Sequence, residues 1–161
     1  MTAIYIDADA CPVREEILRV AERRHLAVHI VSNGSRPIRP PALPGAHLVI
    51  VPPTPDAADN WIADRICMAD VCVTDDIPLA ARCLAKAAGA ISSHGHIWSS
   101  DNIGAALAGR EVSRHLRELG LSSGGGKPLS KSDRSKFLSA FDTLIERLGR
   151  AAKGAKSGQP K

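Results

Sequence analysis

Apolar residues follow two rhythms along the first hundred positions. Short unbroken runs at Ala3–Ile6, Val28–Val31, Leu48–Val51, Val71–Thr74 and Ala90–Ser92 have the length and β-branched content of buried strands. Between them the spacing changes. After Pro12, a residue suited to a first helical position, Val13, Ile17, Val20 and Ala21 recur on one helical face. Arg14, Glu15, Arg19, Glu22 and Arg23 take the other. A second helix is predicted from about Asp56 to Ala69, with Ala58, Trp61 or Ile62, and Ile66 inward, and a third from Pro78 to Ala88. Strands alternating with helices predict the α/β class: a parallel sheet of about four to five strands between helices.

The pattern then becomes helical. Asp101 can cap a helix over Ile103–Leu107, and Glu111–Leu119 is amphipathic and stops at Gly120. Ser122–Gly126 reads as a flexible linker. Ser130-x-x-Asp133 resembles a capping box with the shorter acid. It opens a helix to about Leu148, with Phe137, Phe141, Leu144 and Leu148 on one face. From Gly149 the apolar periodicity is gone, so one domain over residues 1–148 and a disordered basic tail over 149–161 are expected. The Pro-rich stretch Arg36–Pro44 must be a loop and is expected to be the mobile element.

Composition narrows the function classes. The 161 residues suit one core, and 44% are hydrophobic. Only 3% are aromatic, which argues against recognition by base stacking. No apolar run reaches the roughly 18 residues of a membrane span, and the first residues enter a strand with no leader pattern. Cys11, Cys67, Cys72 and Cys83 form no C-x-x-C pair. They read as reduced thiols of a cytoplasmic protein without a membrane partner. His94-Gly95-His96 reads as a surface turn. Charge is divided: residues 1–109 carry nine Lys/Arg against twelve Asp/Glu, and residues 110–161 carry twelve against five, or −3 and +7. Such a division suits a chain that holds cations in one place and a polyanion beside it.

The chemistry lies in the acids. Asp7 and Asp9 follow the first strand, Asp59 lies in the first turn of the second helix, and Asp75-Asp76 follow the fourth strand. In an open α/β sheet the carboxyl ends of neighbouring strands share one crevice, the usual ligand site. Two carboxylates ~4 Å apart repel by about 4 kcal/mol at an effective dielectric of 20. A divalent cation between them removes that cost. Helix capping accounts for Asp56 and partly for Asp76, but not for Asp7. If strands one and four are neighbours, Asp7, Asp59, Asp75 and Asp76 can hold one or two Mg²⁺ or Mn²⁺ for phosphodiester hydrolysis. Asp9 reaches the same pocket.

Four motifs in order carry a resemblance: Asp-Ala-Asp-Ala-Cys-Pro-Val at 7–13, Asp-Ala-Ala-Asp-Asn at 56–60, Thr-Asp-Asp-Ile-Pro-Leu-Ala at 74–80, and Lys127-Pro128-Leu129-Ser130 with Asp133-Arg134. They resemble the YaiI/YqxD family of uncharacterised bacterial proteins, over residues 3 to about 148. That family is similar to the PIN-like nucleases. The resemblance implies a PIN-like sheet with an acidic metal pocket, Asp7, Asp59, Asp75 and Asp76 as metal ligands, and RNA as the expected nucleic-acid partner. Where many PIN nucleases carry a Glu on the middle helix, this chain carries Asp59. Arg36, Arg39, Lys127 and Arg134 are the candidates for substrate phosphate.

Two rivals share these residues. Asp7-x-Asp9 after a strand, Ile30–Gly34 and Thr74-Asp75-Asp76 also resemble the motifs of haloacid dehalogenase-type phosphatases, in which an aspartate attacks phosphorus. That scheme needs a lysine between its second and last motifs, and none occurs from Ser32 to Asp75. A non-catalytic metal- or RNA-binding regulator would use the same acids. A phosphate-loop reading of Gly124-Gly125-Gly126-Lys127 fails, because Pro128 stands where Ser or Thr should be.

Overall fold

The computed structural model describes residues 2–8, 11–120 and 128–157. Its strands are β1 (Ala3–Asp7), β2 (Ala27–Ser32), β3 (Ala46–Ile50), β4 (Val71–Val73), β5 (Gly89–Ile91) and β6 (Ile97–Trp98). They form one sheet in the order β3-β2-β1-β4-β5-β6. All neighbours are parallel except the β5–β6 pair. The helices are α1 (Arg14–Arg24), α2 (Ala57–Arg65), α3 (Ile77–Ala85), α4 (Ile103–Glu118) and α5 (Lys131–Ser157). The α/β class with a helical C-terminal third follows as expected.

Alternation along the strands sorts the core into two layers. Ile4, Ile6, Val71 and Val73 point to one face, where Val13, Ile17 and Val20 of α1 meet Phe137, Phe141 and Leu144 of α5. Tyr5, Val31 and Cys72 point to the other, against Ala58 and Ile62 of α2 and Leu79 and Cys83 of α3. The central strands are buried on both faces, so their sequences read as continuous apolar runs. α4 packs on α3. α5 lies close on β5: a Cβ at Gly89 would stand 2.9 Å from Leu148 Cδ1. Its other tie to α1 is ionic, with Arg23 Nη2 donating to both Asp142 oxygens at 2.9 Å.

Four local readings change. α2 ends at Arg65 rather than Ala69, with Ile66 extended. Asp70 causes this: its carboxylate accepts from Cys67 N and Ala3 N, both at 2.9 Å, and closes a turn that starts β4. α3 ends at Ala85 rather than Ala88, because Ala87 takes φ 61° at the turn into β5. The two short helices expected after Asp101 are one helix, α4, since no proline or cap divides them. β6 was missed: two residues are too short to show a period. His94-Gly95-His96 is the turn before it, with Gly95 at φ 86°.

The capping box forms. Asp133 N donates to Ser130 Oγ at 3.1 Å and Ser130 N to Asp133 Oδ2 at 2.9 Å. α5 then continues to Ser157 rather than stopping near Leu148. Ala, Arg and Lys are strong helix formers, so the helix outlasts its apolar stripe. The linker reading over Ser122–Gly126, and the last four positions of the expected tail, lie outside the described residues. No helix among the described residues is long and apolar enough to cross a membrane.

Candidate active site

The chain winds outward from β1 through β2 to β3, then returns to the other side of β1 as β4. The order reverses between β1 and β4, and a crevice opens there at the carboxyl ends of the strands. Register places Ile6 beside Val73, so Asp7 and Thr74 leave the sheet together. The condition set by the sequence, that strands one and four be neighbours, is met.

Thr74 organises the pair. It is 3% exposed. Its Oγ1 donates to Asp7 Oδ2 at 3.1 Å and accepts from Asp76 N at 3.0 Å. Asp76 in turn caps α3, accepting from Leu79 N at 3.0 Å. Asp75 turns outward to the next strand. It accepts from Ser93 N at 2.8 Å and from Ser93 Oγ at 2.6 Å. Ser92 and Ser93, both buried, follow β5 and were not singled out by sequence. The signal that could have found them is their place at the carboxyl end of the strand beside β4.

Asp59 faces this group from the first turn of α2. Burial pushes its carboxyl up to about 6, with Asp76, Asp7 and Asp56 adding to the rise and Arg82 opposing it. Arg82 is itself drawn toward α2 by Asn60, whose Oδ1 accepts at 2.9 Å. Cys11 stands between Asp7 and α1. Burial pushes its thiol up to about 12, and the Asp75 and Asp7 carboxylates add to this. Such a thiol stays protonated at neutral pH and is no nucleophile.

Asp59 thus senses the charge of Asp76 and Asp7. The three are not drawn into contact: among the described residues no three His, Cys, Asp or Glu side chains are grouped closely enough to hold a metal ion. Both facts are physical. Charge acts over several ångströms, whereas a Mg²⁺ ligand must come to about 2.1 Å. Asp9 and Lys127 lie outside the described residues.

The basic candidates separate. Arg134, on α5, donates from Nη1 to Pro12 O at 2.8 Å and to Glu16 Oε1 at 3.0 Å, next to the start of α1. Arg36 lines a hollow with Ala8, Cys11 and Arg14. Arg39 lines another with Arg14 and Glu15. Arg150 and Lys153 line a third with Thr2 and Leu26, at the amino ends of the strands and so at the far end of the sheet from the acids.

The fold and site define an open-sheet α/β protein with a carboxylate crevice at its switch point. The sequence matches the "Uncharacterized BCR, YaiI/YqxD family" over residues 5–147, and the chain belongs to that family. It is 50% identical to a "UPF0178 protein" of Parvibaculum lavamentivorans over 150 residues, covering 93% of this chain and 97% of that one. It is 51% identical to "UPF0178 protein Rru_A0086" of Rhodospirillum rubrum over 147 residues, covering 91% and 97%. A "UPF0178 protein" of Azorhizobium caulinodans is 51% identical over 148 residues, covering 92% of each chain. No solved structure matches the chain.

Proposed function

We propose that this protein is a metal-dependent, PIN-like nuclease that hydrolyses phosphodiester bonds in RNA. The observation that carries the reading is the carboxyl of Asp59, raised to about 6 among Asp76, Asp7 and Asp56 at the switch-point crevice. Burial and the neighbouring acids outweigh the one opposing cation, Arg82, so added positive charge would be favourable at this site. Its donors are carboxylate oxygens, the set preferred by Mg²⁺ and Mn²⁺. Asp7, Asp59 and Asp76 would close on the cation, with Asp75 beside them on Ser93 and Asp9 two residues after Asp7 in sequence. When bound, the cation supplies charge for the phosphoryl oxygens and makes water acidic enough to attack at neutral pH.

The chain's own residues do the rest. Thr74 fixes the Asp7 carboxylate through its 3.1 Å hydrogen bond. Ser93 fixes Asp75 through two. Holding of this kind keeps acceptor oxygens in place, as outer partners do around bound cations. Arg36, Arg39 and Arg134, beside the crevice, neutralise substrate phosphates.

The test is a titration with Mn²⁺ followed by incubation with labelled single-stranded RNA. Millimolar Mn²⁺ should raise the melting temperature of the wild type by the equivalent of about 2.7 kcal/mol at a hundredfold excess over Kd. Asp7→Asn/Asp75→Asn should not respond. Cleavage should leave 5′-phosphate ends. An equal rise in both proteins places the cation elsewhere and removes the basis of the proposal.

A further inference from the structure

Arg14 is the first residue of α1, and none of the motifs or site assignments above includes it. It lines three adjoining hollows. The first, of about 450 Å³, runs from Ala8 and Cys11 to Arg36 and Ile38. The second, of about 470 Å³, runs from Cys11 to Glu16 and Arg134. The third, of about 240 Å³, runs to Arg39 and Pro40. Because they share Arg14, and two share Cys11 and Pro12, they form one groove over the first turn of α1. Its walls are the Pro-rich loop and the start of α5. Ala8 and Cys11 join it to the acidic crevice, for Cys11 lies within electrostatic reach of both Asp7 and Asp75.

The groove carries four arginines, Arg14, Arg36, Arg39 and Arg134, against Glu15 and Glu16. The two glutamates do not cancel Arg14. Glu16 is spent on Arg134. Both contacts of Arg134 use Nη1, which leaves the remaining fork of its guanidinium to a ligand. Arg14 is half-buried, yet among the described residues it makes no hydrogen bond or ion pair. A partly buried cation without an acid partner is expensive unless an anion joins it. The amino end of α1 adds to the attraction, for its N-cap, Val13, contributes no side-chain hydrogen bond. The two larger hollows fall in the size range of clefts that take one small ligand. That room suits one nucleic-acid strand and not a duplex.

We propose that this groove binds the phosphodiester backbone of a single RNA strand, with Arg14 as the central phosphate-contacting residue, and leads that strand to the acidic crevice. The proposal rests on the nuclease reading for what happens at the crevice, but the groove's binding is measured without it. Fluorescence anisotropy with a fluorescein-labelled oligouridylate 12-mer is run in EDTA, on the full chain, at several salt concentrations. Arg14→Ala should weaken binding about tenfold and reduce the slope of log K against log salt by about 0.7, one phosphate contact on a single strand. Arg14→Lys should recover most of the affinity. Arg19→Ala, the same charge change on the exposed face of the same helix, should barely matter. A hairpin duplex should bind more weakly than the single strand.

Equal losses in Arg14→Ala and Arg19→Ala would overturn the groove, since net charge would then explain binding. Duplex binding as tight as single-strand binding would overturn the single-strand assignment. With Mn²⁺ present, Arg14→Ala should raise KM and leave kcat near wild type. Cleavage with an unchanged KM refutes the groove and spares the nuclease. Arg14-dependent binding without cleavage refutes the nuclease and spares the groove. No binding by the wild type in EDTA refutes the groove, and no cleavage with Mn²⁺ refutes the nuclease.

Discussion

A carboxyl raised to about 6 changes how the molecule responds to pH. The folded-state value for Asp59 lies above the ordinary 3.8. The native state therefore holds its proton more tightly than the unfolded chain does, and the group favours folding at low pH. That advantage is lost as pH rises from about 4 through about 6, and above 6 the charged form is a constant cost. Asp59 is half-buried, so solvent reduces the cost to on the order of 1 kcal/mol. Asp59→Asn should accordingly melt roughly 2–4 °C higher than wild type at pH 8 without metal, and nearly with it at pH 4. A melting difference that does not vary with pH would show that charge is not the cause. Thr74→Val makes the opposite case. It removes the donor to Asp7 and the acceptor for Asp76 N, and should cost about 1–3 kcal/mol by denaturant unfolding. At this scale the sequence was informative about charge and silent about partners. Asp7, Asp59, Asp75 and Asp76 could be named because carboxylates gathered at strand ends and at the start of the helix between them need a reason. The two hydrogen bonds of the Thr74 hydroxyl and the turn of Asp75 toward Ser93 could not, because both depend on register between strands distant in the chain.

Elements were legible where their pattern was long. The Phe137–Leu148 stripe and the capping box gave the start and inner face of α5, and the box formed with both of its bonds. Ser130→Ala should cost about 1 kcal/mol and be read as a lower denaturant midpoint with unchanged slope. Ends were less legible. α2 and α3 stop early because Asp70 and Ala87 shape turns that hydrophobic spacing does not encode. α5 runs on past its stripe because helix propensity needs no apolar partner. The contact at Gly89 sets a further constraint. A β-branched side chain would suit a strand better by propensity, but Leu148 stands in its place. Gly89→Val should thus destabilise by about 1–3 kcal/mol through overpacking.

At the scale of the molecule, the candidate acids and the last basic residues lie at opposite ends of the sheet: the acids at the carboxyl ends of the strands, and Arg150 and Lys153 at the amino ends. α5 carries Arg134 at one of those ends and Arg150 at the other, about 24 Å apart along its axis. A strand held at the crevice has no short route to the far end. Deleting residues 150–161 should therefore cut non-specific attraction and flatten salt dependence slightly, while cleavage at saturating RNA persists. Arg134→Ala, at the near end, should slow cleavage even at saturation, because a mispositioned backbone lowers the rate of the step itself. Loss of turnover on removing the tail, with Arg134→Ala unaffected, would put the substrate path on the wrong side of the sheet. The sequence showed the −3 and +7 halves but not this placement, since the direction of α5 is set by its packing on β5 and α1.

The packing of α5 also has a consequence in time. One face of the sheet is covered by α1, from the beginning of the chain, and by α5, from its end. During synthesis the strands and α1 emerge long before Phe137, Phe141 and Leu144 exist to cover Val73 and Ile91. At roughly 5–20 residues per second, the helix takes a further one to five seconds to be made. For that interval the nascent chain offers an apolar face to chaperones and to other nascent chains. Covering of that face is thereby tied to the synthesis of α5, and messages truncated before Ser130 should yield protein that is bound by chaperones and degraded.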